Sequence, residues 1–217
     1  MRHGYTNVTN LVGSSVSKTY LGPDSDARAA TERTALTRLV GRFPVPALLA
    51  TSPASLTTQF ISGEHGQDLI EDGFAEEVLA ACGNVLRSLH STDPAVVFDT
   101  VVGGVIVHGD FGPNNMLFDP ADFAVTAVID WEFCHVGDRI EDLAWCEWIV
   151  RTHHPSAAPA LPRLFQSYGW TPPWHRRRDF MVRRCMALEQ FCRRWEPDGA
   201  GAAIWAERRE RTETWQE

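Results

Sequence analysis

The chain has 217 residues, of which 44% are hydrophobic and 22% charged. That is a globular composition, long enough for one or two domains and unlike a disordered chain. With 28 acidic against 20 basic residues the net charge is −8, which excludes the broad basic footprint of a nucleic-acid binder and is compatible with a cationic small-molecule substrate.

The first elements read as a small sheet and one helix. VTNLVGSSVSKTYL predicts a hairpin turning at Gly13–Ser14–Ser15, small residues between β-branched runs. GPDSDARAATERTALTRLVGRF predicts a loop and then a helix. Asp24, Ser25 or Asp26 is its expected cap, Leu36, Leu39 and Val40 its apolar stripe, and Gly41 its stop. PVPALLATSPASLTTQFI predicts two strands around a turn at Ser52–Pro53.

The pattern then changes. GFAEEVLAACGNVLRSLHS predicts a helix, with Phe74, Val78, Leu79, Leu86 and Leu89 near helical spacing and Asp93–Pro94 closing it. VVGGVIVHGD predicts a strand running into a polar turn, and AVTAVIDWE a second short strand. From Asp138 onward the chain is helical and Trp-rich, divided at Pro155, Pro159, Pro162 and Pro172–Pro173. The basic run Arg176–Arg177–Arg178, followed by Arg183–Arg184, reads as a solvated helix face. The expected architecture is α+β in two lobes. Residues 1–62 form a small β-rich lobe and 63–217 a larger helical lobe, joined near QFISGEHGQ.

The five cysteines (Cys82, Cys134, Cys146, Cys185 and Cys192) are odd in number and form no C-x-x-C pair. Reduced thiols are expected, and a zinc site is not. No apolar run approaches a membrane span and the first residues lack a signal-type apolar region, so the expected location is the cytoplasm, with no membrane partner.

The chemistry gathers around VHGDFGPNNMLF. A strand, a polar loop and two further strands carry Asp110, Asn115 and Asp130 at their ends. Such an edge presents two carboxylates and one amide. Carboxylate and amide oxygens suit a hard cation such as Mg²⁺, with phosphate and water completing its shell. A further carboxylate can accept a proton from a nucleophilic hydroxyl. The plain alternative is a turn stabilised by Asx-type hydrogen bonds, but turn chemistry does not explain Asp130 at the end of the next strand.

His108-x-Asp110-x-x-x-x-Asn115, then Ile129-Asp130-Trp131-Glu132, then Asp138-x-x-x-Asp142-Leu143-Ala144 resembles the aminoglycoside phosphotransferase and choline kinase-like family, which has a protein-kinase-like fold. The resemblance covers nearly the whole chain. It implies Asp110 as catalytic base, Asn115 and Asp130 as ligands of Mg²⁺ on the nucleotide phosphates, His108 as a scaffold for the loop, and Asp142 as a brace from the following helix. It also implies a phosphate-binding lysine in the first lobe paired with a helical glutamate. Lys18 is the only lysine in the chain, and Glu32 lies 14 residues on. The alternative for each is an exposed charge.

The phosphate-covering loop falls at HGYTNVTN, where Gly4, Thr6 and Asn7 offer small polar groups and backbone N–H donors, although the stretch is not G-x-G-x-x-G. The first strand is short, as in an abbreviated lobe or a trimmed start. Gln59, Phe60 and Ile61 are the positional candidates for the adenine-binding hinge, where backbone groups do the work.

The implied activity is ATP- or GTP-dependent, Mg²⁺-dependent transfer of a γ-phosphate to a small-molecule hydroxyl, with an aminoglycoside or similar antibiotic as first acceptor. A kinase for a metabolic alcohol such as choline, a sugar or homoserine is the second reading, and a nucleotide-binding pseudokinase module the third. Glu132, Glu147 and Glu189 are the candidate substrate carboxylates. Glu147 follows Ile140, Leu143 and Ala144 at helical spacing, so it lands on the apolar face, either paired to an arginine or aimed into the pocket. Trp145, Trp148, Trp174 and Trp195 read as core or as an aromatic site, and His153–His154 as loop. Monomer and dimer are both open.

Overall fold

The computed structural model describes residues 7–101 and 103–217. Thr6 and Gly4 of the expected phosphate loop lie outside the described residues. β1 (Asn7–Val12) and β2 (Ser15–Tyr20) form the expected hairpin. α1 (Ser25–Leu39) follows, then the hairpin of β3 (Leu48–Ser52) and β4 (Ser55–Gln59). The four strands make an antiparallel sheet in the order β1-β2-β4-β3.

α1 buries Arg28, Ala29, Glu32, Ala35, Leu36 and Leu39, a stripe at helical spacing that contains two charges. Those two charges are where the sheet and the helix meet the site. Val40 is not part of the stripe. It is the C-cap, in extended backbone and 46% exposed. Asp24 holds the N-cap position but makes no side-chain cap bond; its carboxylate pairs with Arg194 at 2.9 Å.

The remainder is helical around short strands. β5 (Glu64–His65), β7 (Met116–Phe118) and β8 (Val125–Val128) form one antiparallel ribbon, and β6 (Val105–Val107) pairs with β9 (His135–Gly137). The helices are α2 (Gly66–Glu71), α3 (Ala75–Ser91), α4 (Ile140–His153), α5 (Leu161–Tyr168), α6 (Trp174–Trp195) and α7 (Gly201–Glu213). This is the expected α+β, kinase-like division into a small sheet lobe and a helical remainder.

α3 buries Val78, Leu79, Leu86 and Leu89 as its spacing predicts, while Phe74 precedes the helix and packs on Phe123. The main core runs from the inner face of α1 through α3, the strand ribbons and α5, so the platform that carries the polar loop is continuous with the helix that carries Glu32. Phe43 meets the Trp131 ring edge-on at 5.7 Å between centroids. The five cysteines are free thiols, as expected. Among the described residues no helix is long and apolar enough to cross a membrane.

Candidate active site

The polar loop lies between β6 and β7. Its backbone reverses at Gly109, where φ is +83° and an added Cβ would stand 2.5 Å from the Phe133 carbonyl oxygen. Only glycine tolerates both the left-handed backbone and that approach. A helical turn over Pro113–Asn115 then leads into β7.

Asp142, on the first turn of α4, braces the loop from below. Its Oδ2 accepts the His108 backbone N–H at 2.8 Å and its Oδ1 accepts the Gly109 N–H at 2.9 Å. His90 from α3 lies 3.2 Å from the same carboxylate and 3.0 Å from the Tyr168 hydroxyl. Burial alone would raise the Asp142 pKa, but the His90 hydrogen bond, the nearby imidazoles and the backbone donor hold it below the ordinary value.

The His108 ring uses both nitrogens: Nε2 donates to the Ile129 carbonyl at 3.0 Å and Nδ1 accepts the Asp110 backbone N–H at 3.2 Å. It ties the loop to the strand that delivers Asp130 and is committed to structure. Asn115 makes the same link, since its carbonyl accepts the Ile129 N–H at 3.0 Å.

Asp110 is held from two sides. Trp145 Nε1, from α4, donates to Oδ1 at 2.8 Å. Asn115 Nδ2 donates to the Asp110 carbonyl at 2.8 Å and to Oδ2 at 3.1 Å, which turns the Asn115 amide oxygen away from Asp110. Burial raises the Asp110 pKa and Asp130 adds to it, against the Arg184 guanidinium and the Trp145 hydrogen bond.

Asp130 follows β8 in left-handed backbone, φ +71°, a conformation that costs about 1 kcal/mol or more and persists where the surroundings impose it. Its carboxylate forms a direct ion pair with Lys18 from β2, and Lys18 Nζ lies 2.6 Å from Glu32 Oε2 of α1. Tyr20, one pleat further along β2, hydrogen-bonds to Glu32. Burial opposes the Lys18 charge, but Asp130 and Glu32 outweigh it and raise its pKa far above the ordinary value. For Asp130 burial works the other way, and Lys18 lowers its pKa on balance. The structure thus brings Lys18, Glu32, Asp110, Asn115, Asp130, His108 and Asp142 into one connected set. Among the described residues no group of three or more His, Cys, Asp or Glu side chains forms a metal cage. A site of one carboxylate and one amide oxygen, completed by phosphate and water, does not require one.

The Asn7 side chain turns to Glu132. It is buried, and its Nδ2 donates to Glu132 Oε1 at 2.9 Å. In the hinge segment the Gln59 N–H donates to Ala47 O at 2.8 Å and the Phe60 N–H to Ser14 O at 3.0 Å, so these two donors serve the sheet.

The three candidate substrate carboxylates are all ion-paired; for Glu132 and Glu189 this corrects the expected substrate role, and for Glu147 it is the arginine-paired alternative. Glu132 is buried and ion-paired with Arg28 of α1, tying the sheet lobe to the loop after β8; burial and Asp130 push its pKa up to about 7 against Lys18 and Arg28. Glu147 is fully buried between Arg177 at 2.6 Å and Arg151 at 2.9 Å. Glu189 pairs with Arg193 at 2.7 Å and Arg209 at 3.4 Å.

The solvated reading of the basic run holds for Arg176 and Arg183 and fails for Arg177 and Arg184. Arg177 is 2% exposed, and the Nε and Nη2 atoms of Arg184 are sealed from solvent. Trp145, Tyr20, Arg28 and His90 join the site without having been singled out for these roles. Trp145 had a signal, three residues after Asp142 on α4; the others had none beyond their spacing on an inward face.

Residues 100–180 match the family model described as APH: Phosphotransferase enzyme family. Within those residues the chain is similar to that family. In fold it is similar to aminoglycoside 2′-phosphotransferase-IIIa in its GDP complex, with TM-score 0.75 and 12% identity over 98% of this chain and 90% of that one. It is similar to aminoglycoside phosphotransferase APH(4)-Ia at TM-score 0.69 and 17% identity, covering 98% and 91%. A choline/ethanolamine kinase family protein from Mesorhizobium loti aligns at TM-score 0.65 and 16% identity, covering 97% and 85%.

Short stretches also match much longer proteins. One is 39% identical over 56 residues to acyl-CoA dehydrogenase family member 10 of Mus musculus, covering 26% of this chain and 5% of that protein. Another is 44% identical over 39 residues to acyl-CoA dehydrogenase family member 11 of Homo sapiens, covering 18% and 5%. The chain spans about one twentieth of the length of these curated relatives. The family match and the fold similarity are thus both to phosphotransferases.

Proposed function

We propose that the protein transfers the γ-phosphate of ATP or GTP to the hydroxyl of a small molecule. The observation that carries this reading is the direct meeting of Lys18, paired to Glu32, with Asp130 at the edge where Asp110 and Asn115 lie. Phosphoryl transfer asks for little covalent help from a protein. It asks for phosphates held by positive charge and a hydroxyl oriented in line.

In this reading the Lys18 ammonium receives the phosphates and Glu32 keeps it oriented. The Asn115 amide oxygen and the Asp130 carboxylate would hold Mg²⁺, and these hard oxygens fit it. Bound there, Mg²⁺ would offset charge on the phosphates. Asp110 orients the hydroxyl and accepts its proton, and its own orientation comes from Trp145 and Asn115. His108 and Asp142 fix the loop. Residues 1–62 serve the nucleotide and 63–217 the chemistry and the acceptor. The base meets the segment 59–61 through groups other than the Gln59 and Phe60 N–H donors, which the sheet uses.

The structural neighbours include nucleotide complexes, which supports a nucleotide donor. An aminoglycoside acceptor gains no support from Glu132, Glu147 and Glu189, whose charges are neutralised internally. That observation favours the second reading, a kinase for a metabolic alcohol.

The test is ADP or GDP release from the Mg²⁺-nucleotide across a panel of hydroxyl compounds. Transfer to a panel member that disappears in Asp110→Ala supports the reading. Tight Mg²⁺-nucleotide binding with no turnover on any member would make the protein a binding module instead.

A further inference from the structure

Two arginines seven residues apart lie on the inward face of α6, and their fates differ. Arg177 is satisfied: Nη1 donates to Glu147 at 2.6 Å, Nε to the Pro172 carbonyl at 2.9 Å, and Nη2 to Glu217. Arg184 has no such partners. Its Nε and Nη2 are sealed from solvent and have no hydrogen-bond acceptor among the described residues.

The Arg184 guanidinium stands over the Phe133 ring at 4.7 Å and lies 5.6 Å from the Trp145 ring. Trp145 is the residue that donates to Asp110. Arg184 therefore lies near the proposed base, and its charge acts on Asp110. The other carboxylates in reach are already spent: Glu132 on Arg28, Asp138 on Arg176 at 2.8 Å, Glu141 on His135 at 3.1 Å, and Asp142 on His90.

Two sealed guanidinium N–H groups without acceptors are costly, and the third nitrogen, Nη1, is not sealed and has no carboxylate bonded to it among the described residues. With Nε and Nη2 sealed, Nη1 is the arm of the guanidinium fork that an oxygen of a carboxylate or phosphate reaches. The rings of Phe133 and Trp145 fix the plane of that fork.

We propose that the acceptor carries an anionic group, a carboxylate or a phosphate, which docks on Arg184 while its hydroxyl faces Asp110. This rests on the kinase reading above and narrows its substrate class to hydroxy acids or phosphorylated alcohols. The hydroxyl oxygen attacks the γ-phosphorus, the bond to the bridging oxygen breaks, its electron pair leaves with the nucleoside diphosphate, and the hydroxyl proton passes to Asp110. Arg184 contributes orientation, by anchoring the far end of the acceptor.

The experiment follows label from γ-labelled Mg-ATP and Mg-GTP into matched pairs that differ in charge: 3-hydroxybutyrate against its methyl ester, and glycerol 3-phosphate against glycerol. Choline and kanamycin serve as cationic acceptors. Mg-ADP and Mg-GDP binding are measured in parallel on the same protein. The expected result is transfer to an anionic member, about 10- to 100-fold above its neutral partner in kcat/KM. Arg184→Gln should erase that preference, while Arg184→Lys recovers part of it and the exposed Arg183→Gln leaves it unchanged. The carboxylate and phosphate pairs distinguish the two sources of the anion.

Equal or better transfer to neutral or cationic members, a preference that survives Arg184→Gln, or normal diphosphate binding with no transfer to any anionic member would each overturn the inference. Failure to bind either diphosphate would overturn the kinase reading itself.

Discussion

The two sides of the site are held by different means. On the loop side, Asp142 is fixed by backbone N–H groups of His108 and Gly109 and by His90. On the nucleotide side, Lys18, Glu32 and Asp130 are fixed mainly by one another. Backbone donors cannot leave without unfolding the turn, whereas ion pairs can exchange partners. The difference teaches that the loop is built to be rigid. The nucleotide side is built to trade its internal charge contacts for phosphate and cation.

The largest effect is expected at Asp110. Asp110→Asn keeps the shape and the Asn115 contact but removes the proton acceptor, so kcat should fall about 10²- to 10⁴-fold with diphosphate affinity nearly unchanged, as read from single-turnover transfer and binding isotherms. Wild-type rates would break the assignment.

Next is Asp142. Asp142→Ala strands buried donors at about 1–3 kcal/mol each, and a loss of about 3 kcal/mol is expected from urea unfolding at pH 7. Because the folded pKa of Asp142 is lowered, its contribution is complete above the ordinary carboxylate range near pH ~4 and is lost as the pH falls through the lower folded value. Asp142→Asn should therefore lose less stability than wild type between neutral and strongly acidic pH. Equal acid sensitivity would show that the brace is not electrostatic.

Lys18→Met should weaken nucleoside diphosphate binding roughly 10- to 100-fold, the worth of charge-assisted contacts to phosphate. The loop geometry, read by near-ultraviolet circular dichroism of the Trp cluster, should not change. A mutant that loses the tryptophan signal would show that the two sides are not separable.

Trp145→Phe keeps the packing against Trp148, stacked at 4.5 Å, and removes one of the hydrogen bonds that orient the Asp110 carboxylate. A fall of about 3- to 10-fold in kcat is expected, with KM for the nucleotide unmoved. A KM effect alone would place Trp145 outside catalysis.

The sequence made the loop legible because its residues lie within one short stretch, from His108 to Asn115, and their spacing is set by a single turn. Lys18 and Glu32 were legible for another reason: one lysine in the chain leaves no rival. Glu132 misled because its partner, Arg28, lies far away in the chain; Glu189 pairs one helical turn on with Arg193 as well as with distant Arg209, and Glu147 with Arg151 as well as with distant Arg177. Pattern reading places a charge on a face but does not find the opposite charge across it. Arg184 was hidden in the same way. At about 100° per residue, α6 turns Arg184 onto the inward face with Arg177 and Glu189 some 140° away, so a run of arginines that looks uniformly solvated divides between core and surface.

The central claim is that Asp130 belongs to the metal and nucleotide while Asp110 belongs to the hydroxyl. Calorimetry of Mg-ADP binding to wild type, Asp130→Asn and Asp110→Asn tests it without any acceptor. The Mg²⁺-dependent part of the affinity should vanish in Asp130→Asn and persist in Asp110→Asn. Loss in Asp110→Asn with full affinity in Asp130→Asn would contradict it.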